Sequence, residues 1–206
     1  MGRLRIMSHN VWKNDKNLPA WAAKGEDCSA AVRAKGMVRI YAETQPDIIG
    51  FQEMSPTMVD EILLGLTSQD QRYALLWGRD TPILYRQDRF ELLDSDFFLY
   101  STELPGWAGE FNNSGTKSWC IAVFRDKTDG KKLAFMSTHL WWKSSDPASP
   151  DYQPGSDEAR VYQLNLAMDR LEQFHAQYDC PAVLVGDLNA AYTEPVIRSA
   201  LARGFA

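Results

Sequence analysis

Pro46-Asp47-Ile48-Ile49-Gly50-Phe51-Gln52-Glu53 joins a short apolar run to an abrupt polar ending. The run from Asp47 to Gln52 follows a proline, and its pattern is typical of a buried strand. Ligand-binding residues gather at strand ends in an open sheet, because side chains there are held on a rigid element yet reach past the core into solvent. The stretch therefore predicts a strand that presents Glu53 to a binding crevice.

Three other apolar runs stop in the same way, and strongly polar residues follow each of them at once. They are Ile6-Met7-Ser8-His9-Asn10, Phe135-Met136-Ser137-Thr138-His139 and Val183-Leu184-Val185-Gly186-Asp187-Leu188-Asn189. Asp187 and Asn189 are two positions apart, so both point to the same face if the strand persists that far. Taken alone, Gly186–Asn189 could equally be a turn, because turns favour these residue types.

Together, the four strand ends would bring one Glu, one Asp, two Asn and one His to a single crevice. These side chains are hard oxygen ligands with one imidazole, and the sequence contains no Cys or His cluster typical of zinc sites. Mg²⁺ or Mn²⁺ is therefore the expected metal.

The rest of the chain alternates between strand-like and helix-like stretches. The predicted strands are Leu4–Val11, Asp47–Gln52, Tyr73–Trp77, Thr81–Tyr85, Phe90–Tyr100, Trp119–Phe124, Leu133–Leu140 and Pro181–Val185. The predicted helices are Ser29–Thr44 capped by Ser29, Thr57–Leu66 capped by Ser55, Asp157–Tyr178 capped by Ser156, and one capped by Thr193 that runs to about Arg203. Residues 73–100 are expected to form an antiparallel meander. With no repeat and no long linker, residues 1–206 are predicted to form a single α/β domain with mixed or antiparallel sheets.

Composition narrows the functional classes further. The chain has 206 residues, of which 45% are hydrophobic and 24% charged, and this excludes disordered, collagen-like and disulfide-rich proteins. No stretch approaches the roughly 20 apolar residues of a membrane span. Three cysteines without a CxxC pair predict free thiols and a cytoplasmic location. The formal charge of −5 lacks the basic surplus of proteins that grip long polyanions, and this weakens duplex DNA as a substrate.

Five stretches, taken in order, resemble the motifs of the endonuclease/exonuclease/phosphatase superfamily. They are Ser8–Trp12, Pro46–Glu53, Pro82–Arg86, Ser137–Leu140 and Gly186–Asn189. This superfamily includes pancreatic deoxyribonuclease, abasic-site endonucleases, deadenylases, neutral sphingomyelinases and inositol polyphosphate phosphatases. The resemblance implies a four-layer α/β/β/α sandwich, in which two mixed β-sheets pack face to face between flanking helices and the site lies at one end of the sheets.

The resemblance also implies an activity, the hydrolysis of a phosphodiester or phosphomonoester by an activated water with Mg²⁺ or Mn²⁺ as cofactor. Glu53 would be the direct metal ligand, with Asn10 beside it contacting the metal or a phosphate. Asp187 would orient and deprotonate the water. Asn189 and His139 would hydrogen-bond the phosphoryl oxygens as charge builds on them.

Three further side chains are candidates for substrate contact. Lys117 shares a strand face with Trp119, in a region where the family often has a basic residue, and is a candidate for phosphate contact. Trp141 and Trp142 follow His139 and could stack on a base, a sugar or a choline group. Alternatively, one of the two tryptophans covers the edge of a layer.

In this family the chain continues past the last helix with an edge strand and a Ser-Asp-His motif, whereas this sequence stops at Leu201–Ala206. The sequence therefore predicts a C-terminally truncated domain with an open sheet edge. A metal-dependent phosphoesterase is the first hypothesis. The alternatives are an impaired or non-catalytic homologue that binds a phosphorylated ligand or partner, and a nuclease acting on DNA or RNA. The acidic balance favours a small phosphoester or lipid head group over nucleic acid, and the sequence leaves the oligomeric state open.

Overall fold

A computed structural model describes residues 3–13 and 19–205. The strands are β1 (Ile6–Asn10), β2 (Ile48–Gln52), β3 (Tyr73–Leu76), β4 (Ile83–Arg86), β5 (Phe90–Leu99), β6 (Ser118–Asp126), β7 (Lys132–His139) and β8 (Ala182–Asp187). The helices are α1 (Pro19–Ala22), α2 (Ala30–Thr44), α3 (Pro56–Thr67), α4 (Ser156–Tyr178) and α5 (Pro195–Ala202). Every predicted strand is present to within three residues at either end, whereas the short helix α1 was not predicted.

The strands form two four-stranded sheets, and both are mixed. The first has the order β1-β2-β4-β3 and the second β5-β6-β7-β8. β1 runs parallel to β2 and β7 runs parallel to β8, whereas all other neighbours are antiparallel. The two parallel pairs end at the same side of the molecule, where Asn10 at the end of β1 contacts Asp187 at the end of β8.

The predicted meander over residues 73–100 is wrong at one connection, because β4 and β5 lie in different sheets. Arg89 lies at the crossing between them. Its Nη1 is 2.8 Å from Asp47 Oδ2, which precedes β2, and its Nη2 is 2.8 Å from Asp126 Oδ2 at the end of β6. A half-buried guanidinium shared by two buried carboxylates ties the sheets together where the chain passes from one to the other.

Residue alternation along β2 divides its side chains between two layers. Ile49 and Phe51 pack against Tyr41 of α2 and against Met58 and Ile62 of α3. Ile48 instead belongs to the apolar layer between the sheets, together with Ile83, Phe90, Phe124 and Phe135. On the far side, α4 covers the second sheet through Leu164, Met168 and Leu171, which pack with Ile121 and Val123. The predicted four-layer α/β/β/α sandwich is confirmed.

The two sheets approach most closely near the carboxyl end of β2. A methyl group built on Gly50 would lie 2.5 Å from Val185 Cγ2 and 3.0 Å from Ser137 Cβ. Only glycine fits this position, because the atoms opposite belong to β7 and β8 of the other sheet. The missing side chain lets the ends of β2, β7 and β8 meet.

Two of the predicted helix caps are confirmed and two are wrong. Ser29 accepts from the backbone N–H of Val32, and Ser55 accepts from that of Met58. Ser156 lies inside α4, where its hydroxyl donates to the carbonyl of Gln153, and Gly155 occupies the cap position at φ 85°. For α5 the cap is Glu194, with Pro195 as the first helical residue.

Within the described residues, β8 is the edge strand of the second sheet. A largely apolar groove of about 800 Å³ runs beside it between α4 and α5, with walls that include Met168, Leu184, Leu188 and Ile197. Over the same parts of the chain, no helix is long and apolar enough to cross a membrane.

Gly186→Ala is expected to lower the free energy of unfolding by about 1–3 kcal/mol, the usual cost of overpacking. A methyl group there would lie 2.2 Å from the backbone oxygen of Thr138, which cannot move without disturbing the pairing of β7 with β8. Urea denaturation measures the change. The matched control is Gly36→Ala in α2, where the methyl group would meet nothing within 4 Å and should stabilise the helix by about 0.5–1 kcal/mol. Unchanged stability of Gly186→Ala would contradict the tight approach.

Candidate active site

The four polar strand ends predicted from the sequence converge at one edge of the sandwich. Asn10 and Gln52 are register partners at the ends of β1 and β2, and His139 and Asp187 are partners at the ends of β7 and β8. Glu53 follows β2 directly. The carboxyl ends of parallel strands thus bring all four strand ends to one crevice, as the sequence predicts.

Asn10 links the two carboxylates of this crevice. Its Nδ2 lies 3.2 Å from Glu53 Oε1 and 2.8 Å from Asp187 Oδ2, so one amide group donates to both sheets. The Oδ1 atom of Asn10 in turn accepts from the backbone N–H of Trp12 at 2.9 Å. Every polar atom of the Asn10 side chain is therefore engaged, and this fixes the separation of Glu53 from Asp187.

Unusual backbone conformations surround the crevice. Among described residues other than glycine, seven have a positive φ, and two of them, Gln45 and Asp179, are ordinary helix C-caps. Four others lie at or beside the crevice: Trp12, Glu53, Arg79 and Asn189, with φ between 46° and 58°. Left-handed conformations cost free energy in residues with a Cβ, and they cluster where a binding site requires a particular side-chain direction.

Asp80, which the sequence did not identify, completes the crevice. The Nδ1–H of His139 donates to Asp80 Oδ2 at 2.6 Å, and Asp80 is only 2% exposed. On the other side of the imidazole, Lys117 Nζ donates to His139 Nε2 at 2.6 Å. These bonds assign the hydrogen of the neutral ring to Nδ1 and make Nε2 an acceptor, so Asp80 sets the tautomer and orientation of His139.

Opposing effects act on the pKa of Asp80. Burial by itself would raise the pKa of this carboxyl. The hydrogen bond from His139, its charge when protonated, and the charges of Lys13 and Lys117 outweigh burial, so the pKa lies below its ordinary value. Lys13 Nζ is 3.2 Å from Asp80 Oδ1. Asp80 therefore remains an anion at neutral pH, surrounded by three basic side chains.

A buried hydrogen-bond network lies directly below the crevice and involves further polar residues of the sequence motifs. Gln52 Nε2 donates to Ser137 Oγ at 3.1 Å, and the Ser137 hydroxyl donates to the carbonyl of Phe51 at 2.8 Å. Ser8 Oγ donates to Gln52 Oε1 at 3.4 Å. Because β2 and β7 belong to different sheets, these bonds hold the two halves of the site in register.

The side chains of Asn189 and Lys117 are both hydrogen-bonded to neighbouring protein groups. The backbone N–H of Asn189 donates to Asp187 Oδ1 at 2.9 Å, and its Nδ2 donates to the carbonyl of Leu140 at 3.0 Å. The backbone N–H of Asn189 thus orients Asp187, while its side-chain amide is held by Leu140. Lys117 is 4% exposed, and its Nζ reaches His139 rather than the rim.

The two tryptophans after His139 have different environments. Trp141 is completely buried, with its ring 5.9 Å from that of Phe111 in an edge-to-face contact, so its predicted stacking on a substrate is wrong. Its backbone N–H is held by Gln163 Oε1 at 2.8 Å. Trp142 is 42% exposed and stays a candidate for substrate contact.

The donor set of the crevice suits a hard cation. Among residues 3–13 and 19–205, no group of three or more His, Cys, Asp or Glu side chains is arranged to hold a metal ion. Mg²⁺ needs fewer protein ligands, because it is usually bound through one or two carboxylates together with substrate phosphates and water. Glu53, with Asn10 at 3.2 Å and Asp187 on the other side of that amide, fits this kind of site.

Comparison with known proteins identifies a matching family. The sequence profile of the Endonuclease/Exonuclease/phosphatase family matches residues 7–206. No match was found among proteins with curated descriptions.

Solved structures share the fold at low sequence identity. A mannosyl-6-phosphatase of Bacteroides thetaiotaomicron is similar with a TM-score of 0.74 and 19% identity, over 98% of this chain and 71% of that protein. The catalytic domain of human Nocturnin with bound sulfate has a TM-score of 0.67 and 18% identity, over 95% and 67%. D. rerio TDP2 complexed with a single-strand DNA product has a TM-score of 0.64 and 21% identity, over 100% and 66%.

Proposed function

The chain belongs to the endonuclease/exonuclease/phosphatase family, and we propose that it is a divalent-metal-dependent phosphoesterase. A water molecule activated by Asp187 would attack a phosphodiester or phosphomonoester in line with the leaving oxygen. The observation that carries this proposal is the pairing of Glu53 and Asp187 through one Asn10 amide, beside the Asp80–His139–Lys117 chain. Phosphoryl transfer needs positioning and charge stabilisation more than covalent chemistry, and this arrangement supplies both.

Glu53 and Asn10 are the residues that would hold the metal. Mg²⁺ or Mn²⁺, when bound, supplies positive charge that screens the phosphoryl group and stabilises the leaving oxygen. Asn10 also keeps the Glu53 carboxylate near Asp187 and so keeps the metal-binding and water-activating groups a fixed distance apart.

Asp187 is the proposed general base. Hydrogen bonds from the Asn189 N–H to Oδ1 and from Asn10 Nδ2 to Oδ2 orient its carboxylate. Its side chain is 31% exposed, so water can reach it, and each oxygen keeps a second lone pair to accept from that water. The carboxylate can therefore align a water molecule and take its proton as the new bond forms.

His139 and Lys117 are the proposed donors to the phosphoryl oxygens. His139 Nε2 lies 3.9 Å from Asp187 Oδ2, so the imidazole faces the same space as the proposed base. Lys117 brings an ammonium group to that nitrogen. A phosphate entering there can accept from the ammonium or from a protonated imidazole, and Asp80 stabilises the charge of the latter.

The proposed substrates are small phosphoesters or lipid head groups rather than long nucleic acids. The formal charge of −5 and the recessed position of Lys117 support this preference, because binding along a nucleic acid depends on many exposed cations.

Glu53→Gln is expected to weaken Mn²⁺ binding by at least about tenfold, because the only anionic group proposed as a direct ligand loses its charge. Water-proton relaxation measures Mn²⁺ affinity without any need for turnover. Hydrolysis of bis-p-nitrophenyl phosphate by the unmodified protein should require added Mg²⁺ or Mn²⁺ and stop with EDTA. Glu43→Gln, on the exposed side of α2, is the matched control and should bind Mn²⁺ normally. Unchanged affinity in Glu53→Gln, or hydrolysis that EDTA does not inhibit, would contradict the proposal.

A further inference from the structure

A second recess adjoins the crevice on the side of Asp80. It has a volume of about 350 Å³, and its walls include Lys13, Ser55, Trp77, Arg79, Gly115 and Thr116. Asp80 also lines this recess, and Met54 and Ser55, which follow Glu53 in sequence, form another part of its wall. The volume is at the lower end of the range of small-molecule sites, about 300–1,000 Å³. The recess therefore shares a wall with the catalytic crevice and can hold part of a small substrate.

Two cations line this recess, and they differ in their partners. Lys13 is 3.2 Å from Asp80 Oδ1 and is neutralised by it. Arg79 is exposed, and its guanidinium forms no ion pair or hydrogen bond with any residue in the described parts of the chain. That guanidinium lies over the turn at Gly115, where a Cβ would be 3.9 Å from Nη2. Arg79 thus brings uncompensated positive charge to the recess in a chain that is acidic as a whole.

The backbone around Arg79 is held on both sides. A methyl group on Gly78 would lie 2.6 Å from Cys120 Cβ, so this turn packs tightly against β6. Asp80 is anchored by its bond from His139, and the Thr81 N–H closes the turn on the carbonyl of Gly78 at 2.9 Å. Arg79 itself has a left-handed φ of 50°. Its position relative to the catalytic crevice is therefore set by the fold.

Trp77 adds an apolar surface to the same recess. Trp77 is 42% exposed and directly follows β3. An exposed tryptophan can pack against the apolar part of a ligand, and the neighbouring guanidinium can donate two parallel hydrogen bonds to an anion. The fork of an arginine matches two oxygens of a phosphate.

We propose that this recess binds a second phosphate group of the substrate, so that the preferred substrates are small phosphoesters that carry two phosphates. This inference rests on the proposed function, because it places the reacting phosphate in the crevice of Glu53, Asp187 and His139. Arg79 binds the second phosphate, and Trp77 packs against the carbon chain or ring that joins the two. Lys13 adds to the positive electrostatic potential of the recess but stays paired with Asp80.

Calorimetric titration of alkyl phosphates against alkanediol bisphosphates tests this proposal. Butyl phosphate is compared with the bisphosphates of ethane-, butane- and hexanediol, all in the presence of Mg²⁺. We expect at least one bisphosphate to bind the unmodified protein at least tenfold more tightly than butyl phosphate. In Arg79→Gln, that ratio of dissociation constants should fall to about threefold or less.

Arg72→Gln is the matched control, because Arg72 is also exposed but directly precedes β3, outside the walls of the recess. Its ratio of dissociation constants should equal that of the unmodified protein. Equal affinities for mono- and bisphosphates, or an Arg79→Gln protein that keeps the tenfold ratio, would overturn the second-phosphate site. A tenfold ratio that depends on Arg79, in a protein without metal-dependent hydrolysis, would support this site and contradict the proposed function instead.

Discussion

Asp187→Asn is expected to lower the rate of metal-dependent hydrolysis of bis-p-nitrophenyl phosphate by about 10²–10⁴-fold, the usual contribution of a general base. An asparagine side chain retains an oxygen that can accept from Asn10 or from the Asn189 N–H, but it cannot take a proton from water. The loss should therefore lie in kcat, measured under saturating Mg²⁺. Thermal unfolding of the variant should stay close to that of the unmodified protein.

Asp60→Asn provides the control, because Asp60 is an exposed carboxylate on α3 and does not line the crevice or the recess beside it. Its kcat should be unchanged. If Asp187→Asn retained more than about a tenth of the original kcat, another group would have to activate the water, and the proposed role of Asp187 would be wrong.

Much of this site could be predicted because its residues stand at the ends of strands. Asn10, Glu53, His139 and Asp187 each follow an apolar run, and the parallel pairs β1–β2 and β7–β8 place those ends side by side. A local pattern was enough here, because the carboxyl ends of neighbouring parallel strands lie at the same edge of a sheet.

Asp80 could not be predicted in the same way. It lies in Trp77-Gly78-Arg79-Asp80, where a glycine and an aspartate suggest only a turn. Its role depends on meeting His139, 59 residues further along the chain. That meeting depends on how β4 and β7 are placed in different sheets, which no local pattern encodes.

The two tryptophans after β7 show a similar limit. Trp141 is completely buried and Trp142 is 42% exposed, although they are neighbours in a segment without regular structure. Periodicity assigns faces only inside helices and strands. What decides the outcome is Gln163 of α4, whose side chain fixes the Trp141 backbone, and Phe111, which receives its ring.

Asp80→Asn is expected to reduce kcat by about 10²–10⁴-fold, although Asp80 is a positioning residue that need not touch the substrate. The carboxylate holds a hydrogen on His139 Nδ1 and directs Nε2 towards Lys117 and Asp187. An asparagine amide can donate to Nδ1 instead, which would move the hydrogen to Nε2 and set it against the Lys117 ammonium, and the variant lacks the carboxylate that stabilises a protonated imidazole. Two-dimensional ¹⁵N NMR of the imidazole should report the change of tautomer, which a purely structural role would not produce.

The same substitution should also change how the free energy of unfolding depends on pH. Because the pKa of Asp80 is lowered in the folded protein, its ionised form stabilises the fold above the unfolded pKa of about 3.9, and this contribution is lost as pH falls through the folded pKa. At pH 7, Asp80→Asn should lower the free energy of unfolding by about 3–5 kcal/mol, because the buried Lys117 and the partly exposed Lys13 lose the carboxylate that balances their charge. Urea denaturation from pH 7 to pH 3 should show this difference shrinking at the acid end, whereas Asp60→Asn should show none at any pH. A difference that stayed constant with pH would mean that Asp80 is not the buried anion that orients His139.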